Sequence, residues 1–363
     1  MGEGYKAARV VSPGEVMIRE LEARGWTQRD LAEIMGRPYQ AINEIINGSK
    51  QITPDTAREL AHAFGTSIDF WINLETNYRL HLAEKNEKEK EIVRRSKLYS
   101  IAPLHEITKR SWIRETSNLD ELEREVCTFL GISSPNDPVR IPVSFRHSEA
   151  HEPDVNAQNA WIKRVEHLAE SQDITQFDIN KFRESISDVI MYASDEHLLP
   201  KLPNVLLKLG IHFLIVPHLP RTFIDGAAIT TNQNPIVALT LRYDRIDSFW
   251  FTLAHELAHI DLGHRGIVID DTEDGQGSSS DKDEYEANEL ASNWLINSEN
   301  LSRFIREIQP HFSKAAIEEF AKENRRHPGI VLGQLQHKNI VGYQHLRALL
   351  IKVSPYLTDF IQP

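Results

Sequence analysis

The chain has 363 residues, 40% of them hydrophobic and 26% charged, the balance of a folded globular protein. That length is too great for one ordinary core and implies two or three domains. A net charge of −12 excludes a general nucleic-acid coat protein, so any DNA contact must be confined to a small local surface. No apolar run is long enough to cross a bilayer, and "MGEGYKAARVVSPGE" lacks a signal-peptide core, so no membrane partner is expected. The single cysteine, Cys127, has nothing to pair with inside the chain and reads as a buried thiol of a protein of the reducing cytoplasm.

In chain order, the first predicted elements are helices with clear starts and stops. In "GWTQRDLAEIMGRPYQAINEIINGSKQITPDTARELAHAFGTS", Thr27 is placed to cap a helix whose Leu31, Ala32 and Ile34 face a core. Gly36 serves a tight turn, and Pro38 sits in the first turn of a second helix that ends at Asn47-Gly48. Thr53 and Pro54 open a further helix. This is the punctuation of a helix-turn-helix. In its second helix Ile42, Ile45 and Ile46 pack, which leaves Tyr39, Gln40, Asn43, Glu44 and Asn47 on the other face. Asn and Gln are the side chains that make paired hydrogen bonds to adenine in the major groove. Gln28 is placed to hold a phosphate. Between Arg24 and Lys50 four bases (Arg24, Arg29, Arg37, Lys50) face three acids (Asp30, Glu33, Glu44). So thin a balance makes a monomer a weak binder and a homodimer on a two-fold site the natural remedy.

From Ser12 to Leu80, through "NEIING" and "FWINLETNY", the sequence resembles HigA-type antitoxins of the Xre helix-turn-helix group. The resemblance implies an all-α, λ-repressor-like domain over residues 1–83, a homodimer, repression of its own operon through operator DNA, and a possible partner toxin. Carried over by position, with Arg37 and Tyr39 beside them, Gln28, Gln40 and Asn43 are the DNA-facing residues.

"EKNEKEKEIVRRSK" interleaves both charge signs, as a solvated helix or linker does, and residues 84–142 are expected to be a charged helical linker region. It ends in the loop "GISSPNDPVRIP". Residues 143–363 then form a second domain. "NAWIKRVEHLAES" and "DINKFRESISDVIMYAS" carry helical apolar spacing, whereas "GIHFLIVPHLP" and "NPIVALTL" read as buried strands. "YDRIDSFWFTLAHELAHIDLG" turns helical again. Ile246, Phe249, Trp250, Leu253, Leu257 and Ile260 form one stripe, and Gly263 is the stop.

That helix contains "HELAH". Residues four apart share a face with Cβ atoms about 5–6 Å apart, so His255 and His259 can aim at one metal ion. Glu256, one residue round the helix, is placed to take a proton from a water activated there. A catalytic zinc usually has three protein ligands, and "DKDEYEANELASNWLI" offers the third. If Ala287, Leu290, Ala291 and Trp294 pack inward, Glu286 stands at the edge of the buried face, in preference to Glu284 near the helix start and Glu289 nearer solvent. His264 is expected at the helix end or behind the ligands, and His212 and His218 as structural. The acidic "DDTEDGQGSSSDKDE" between the two helices reads as a connector.

"TLAHELAH" followed by "EYEANELASNWLI" and "HPGIVLGQLQH" resembles the ImmA/IrrE family of metallopeptidases, roughly from Leu202 to Leu335. The resemblance implies an α+β zincin-like fold with its zinc core at about 202–300, Zn(2+) held by His255, His259 and Glu286, and Glu256 as catalytic base. It also implies a protein substrate, such as a co-encoded repressor. The chain is expected to be multidomain, a DNA-binding regulator joined to a zinc endopeptidase; the alternative is a repressor or antitoxin whose zincin-like domain senses or docks without cutting.

Overall fold

The computed structural model describes residues 10–83, 87–139, 143–145, 153–230, 233–264, 266–270 and 282–362. Of the stretch expected to be an acidic connector, 270–284, residues 271–281 lie outside the described residues, Asp270 ends a strand and Lys282–Glu284 open a helix. The chain divides into two compact units, one running to Ser96 and the other starting at Lys97.

The first unit is all helical: α1 (Pro13–Arg24), α2 (Gln28–Ile34), α3 (Tyr39–Ile46), α4 (Pro54–Phe64) and α5 (Ile68–Ala83). Each early boundary has a local cause. Ser12, Thr27 and Thr53 cap α1, α2 and α4 through their side-chain oxygens, and at Thr27 a reciprocal bond from Asp30 completes a capping box. Gly25 and Gly65 close α1 and α4 in the left-handed conformation. Met17, Leu21, Leu31, Ile42, Ile45, Leu60, Phe64 and Trp71 form the core. Ile34, expected inside, is instead half exposed. It is the last residue of a helix of only seven, where the buried stripe has already turned away.

Helix α6 (Glu87–Tyr99) spans the division between the units. The second unit continues with α7 (Leu104–Lys109), α8 (Leu119–Leu130), β1 (Val143–Phe145), α9 (Val155–Glu170), α10 (Ile179–Met191) and α11 (Leu202–Lys208). Then come β2 (His212–Ile215), β3 (Gly226–Thr230), β4 (Ile236–Leu239), α12 (Ile246–Leu262), β5 (Gly266–Asp270), α13 (Lys282–Leu295), α14 (Ser298–Ile308), α15 (Lys314–Glu323) and α16 (Pro328–His337). The strands form one mixed sheet in the order β1-β5-β3-β4-β2, in which β3 runs antiparallel to both neighbours.

Strands β2, β3 and β4 separate two apolar layers, and alternation along them assigns their side chains to one or the other. Phe213, Ile215, Val237 and Leu239 join α12, α13 and α16 on one face. Leu214, Ala227, Ile229 and Ala238 join α8 and α9 on the other. This second layer also contains Leu98, Ile107, Trp112, Val126, Phe129 and Leu130. The stretch expected to be a linker over 84–142 is therefore, from Leu98 on, part of the wall of the sheet, and the folded unit begins at Lys97 rather than at residue 143. Surface charge on "EKNEKEKEIVRRSK" concealed the apolar residues that follow it. Cys127 is buried and free, as expected.

Candidate metal centre and DNA-reading helix

Helix α12 is buried along nearly its whole length, including all three polar residues of "HELAH". His255 Nε2 and His259 Nε2 stand 2.9 Å apart, one helical turn having brought both rings to the same point. The carboxylate that meets them is Glu284: its Oε2 lies 3.2 Å from His255 Nε2 and its Oε1 3.4 Å from His259 Nε2.

Glu286, the residue expected there, is elsewhere. Its side chain is 39% exposed and sits 3.2 Å from Lys282 Nζ, whereas that of Glu284 is 7% exposed. The reason is the phase of α13. Its buried line is Glu284, Ala287, Ala291 and Leu295, spaced three and four residues apart, while Leu290 and Trp294 are only partly buried. Two alanines let α13 lie close to α12, and one turn earlier the same line delivers Glu284 to the imidazoles. Reading the large residues as the centre of the face rotated the helix and moved the acid by two positions.

Burial opposes charge on Glu284, but hydrogen bonds from His255 and His259, and their charge when protonated, outweigh it and hold the carboxyl far below the usual carboxylate range. Burial also lowers the His259 pKa, against the pull of Glu284. The donors of His255, His259 and Glu284 all lie within 4.8 Å of one another. Two imidazoles and a carboxylate, buried and convergent, are the donor set a catalytic zinc takes, so the residues fit the metal.

Glu256 is fully buried beside the pair. Strand β3 lies directly against it: a Cβ on Gly226 would meet Glu256 Oε1 at 2.7 Å and Thr252 Cγ2 at 2.5 Å. Glycine at this position is what lets the strand pass the carboxylate, and a short run of small residues carries no mark in the sequence of β3 or of this contact. The remaining expected histidines are structural in placement. His212 Nδ1 lies 2.9 Å from Gln172 Oε1, and burial, with the charges of Arg242 and Arg110 adding to it, lowers the pKa of His218.

In the first unit the polar face of α3 stands as the spacing implies. Tyr39 and Gln40 are exposed and Asn43 is half-buried. Gln40 Nε2 reaches toward Glu44 Oε1 at 3.5 Å, and Asn47 Nδ2 donates to Asn43 Oδ1 at 3.1 Å. Arg29 lies over the Tyr39 ring, 5.9 Å from its centroid. Gln28 occupies the first position of α2, with Oε1 buried and unpaired. Arg37 is turned to the domain itself, donating to both carboxylate oxygens of Glu59 at 2.5 and 3.2 Å. Nothing in the spacing of Arg37 revealed that partner, which comes from α4.

Comparison with known proteins matches residues 17–71 to the helix-turn-helix family and residues 224–322 to the IrrE N-terminal-like domain. An uncharacterized HTH-type transcriptional regulator of Escherichia coli K12, YbaQ, is 31% identical over 81 residues, 22% of this chain and 72% of that protein. Antitoxin HigA-1 of Vibrio cholerae is 38% identical over 68 residues, 18% of this chain and 64% of its own. A solved structure of an addiction module antidote protein of the HigA family from Coxiella burnetii is 36% identical, covering 23% of this chain and 90% of that one at a TM-score of 0.22. Among the described residues no helix is long and apolar enough to cross a membrane. The chain belongs to the Xre-type helix-turn-helix family, with HigA-like antitoxins and transcription regulators as relatives, and carries an ImmA/IrrE-like peptidase-family domain in its second unit.

Proposed function

We propose that the protein is a transcription regulator that binds operator DNA as a homodimer through α3 and cuts a protein partner with a zinc centre in its second unit. The observation that carries the peptidase half is the meeting of His255, His259 and Glu284 beside a buried Glu256. These three residues would hold Zn(2+), which when bound supplies Lewis acidity, making a water more acidic and a carbonyl more electrophilic. Glu256 accepts the proton of the attacking water and returns it to the leaving amine nitrogen. Its burial keeps bulk water from competing for that proton. Glu284 contributes a full negative charge, and the two imidazoles contribute neutral nitrogen donors.

On the DNA side, Gln40 and Asn43 read base edges while Gln28 and Tyr39 hold the backbone; Arg37, tied to Glu59, steadies the turn instead of reaching a phosphate. The substrate is a cytoplasmic protein, either a repressor or the product of an adjacent gene.

The test pairs metal analysis with proteolysis. Wild-type protein and Glu256→Gln are co-expressed with each neighbouring gene product. Both should bind one equivalent of zinc, and only the wild type should shorten a partner. Equal cleavage by the two would remove Glu256 from the mechanism, and zinc-loaded wild type that cuts none of them would favour a sensing or docking role. Similarity to the HigA antitoxin supports a second reading, in which the first unit neutralises a toxin. Co-purification with a small toxic neighbour would select it.

A further inference from the structure

His264 lies outside the ligand set, yet its ring is built into the site from behind. Gly263, at φ 74°, closes α12 in the left-handed conformation, and His264 folds back so that its N–H donates to the His259 carbonyl at 3.0 Å. This six-to-one bond is the signature of a Schellman turn. Its consequence here is on the side chains: His264 Nδ1 comes to 2.8 Å from His259 Nδ1, with ring centroids 5.0 Å apart. The far side of the His264 ring, Nε2, faces Asp283 Oδ1 at 3.5 Å, on the first turn of the helix that supplies Glu284. Thr230 at the end of β3 donates to the His264 carbonyl, so strand, turn and helix fix the ring together.

Two imidazole nitrogens at hydrogen-bonding distance need one proton between them. His259 presents Nε2 to His255 and Glu284, and a metal there requires that nitrogen as a bare lone pair. The proton of neutral His259 must then be on Nδ1, donated to an unprotonated Nδ1 of His264. His264 in turn carries its own proton on Nε2, directed at Asp283. From this we infer that His264 is a positioning residue for the metal centre, selecting the Nδ1–H tautomer of His259 and its ring orientation, with Asp283 setting the tautomer of His264. The inference rests on the zinc reading proposed above and deepens it: a carboxylate–imidazole–imidazole relay stands where metal-binding histidines more commonly have a carboxylate or a backbone carbonyl.

The experiment measures Zn(2+) affinity of the full-length protein by competition with a chromophoric chelator, alongside the melting temperature of each metal-free variant. His264→Leu removes the acceptor, whereas His264→Asn puts a side-chain carbonyl where Nδ1 stood. Loss of a partner behind a metal ligand typically costs about 10–100-fold in affinity. His264→Leu should show a loss in that range, His264→Asn should recover most of it, and Asp283→Asn should fall between. Metal-free melting temperatures of the Asn variants should stay within a few degrees of wild type. Nitrogen shifts of the His259 ring in the metal-free protein should report a larger share of Nδ1–H in wild type than in His264→Leu. Affinity of His264→Leu within twofold of wild type, or an Asn variant no better than Leu, overturns the positioning role while leaving the metal centre standing. Wild type that fails to bind zinc at all sinks both.

Discussion

At Gly226 a missing side chain decides where a carboxylate can stand. Strand β3 and helix α12 approach so closely that one added methyl group would press on Glu256 Oε1 and Thr252 Cγ2. Neither can retreat easily, since Glu256 is fully buried and Thr252 nearly so. Gly226→Ala is expected to destabilise the second unit by about 1–3 kcal/mol, the usual cost of overpacking, and to displace Glu256. Denaturant midpoints check the first effect, and loss of partner cleavage with retained zinc checks the second. An alanine variant as stable and as active as wild type would mean that β3 moves away freely. Glu284 invites a parallel comparison. Removing a direct ligand should cost more zinc affinity than removing an outer partner, so Glu284→Gln is expected to lose more than about 100-fold. Glu286→Gln, on a half-exposed residue paired with Lys282, should stay within about twofold. The reverse ranking, read by the same chelator competition, would restore Glu286 to the ligand set.

Among the helices, α3 and α13 show how far apolar spacing carries. In α3 the buried Ile42 and Ile45 are large, and the polar face follows from them without ambiguity. Gln40→Ala or Asn43→Ala should therefore cost about 1–3 kcal/mol in discrimination between DNA from upstream of the protein's own gene and a scrambled duplex, measured by titration at fixed salt. Uniform weakening on both duplexes would instead make these residues backbone contacts. In α13 apolar spacing marks the helix but not its phase, because close packing is done there by Ala287 and Ala291, and alanine is not a strong marker of a buried face. The histidine pair, its glutamate and the stop at Gly263 were legible because a single helix carries them all. Strands β1, β3 and β5 were not. Gly226 to Thr230 is short and rich in small residues, and its identity as a strand comes from β4 and β5 on either side. The partner of Arg37 was hidden for the same reason, since Glu59 lies on another helix.

Taken whole, the molecule places its unusual histidines in one unit. Burial pushes the pKa of His212, His218 and His327 down; at His218 the charges of Arg242 and Arg110 add to the effect, and at His327 burial outweighs Glu196, Asp195 and Asp247. His327 Nδ1 also accepts the Gly329 N–H at 3.0 Å, a bond that protonation there would abolish. In the unfolded chain these rings return to a pKa of about 6.5. Between that value and their lower folded values the unfolded state binds more protons, so unfolding becomes more favourable as pH falls. The stability that neutral rings provide is complete above about pH 6.5 and is lost progressively on acidification through the folded pKa values. Glu284, depressed by its imidazole partners, acts in the same direction at still lower pH. Calorimetry of the metal-free protein should therefore show the transition of the second unit moving to lower temperature between about pH 7.5 and 5.5. His212→Gln, which exchanges a titrating ring for a neutral amide beside Gln172, should flatten that slope. A level transition would mean that the folded rings titrate where the unfolded ones do, and one that rises on acidification would mean that partners brought by the fold hold them charged.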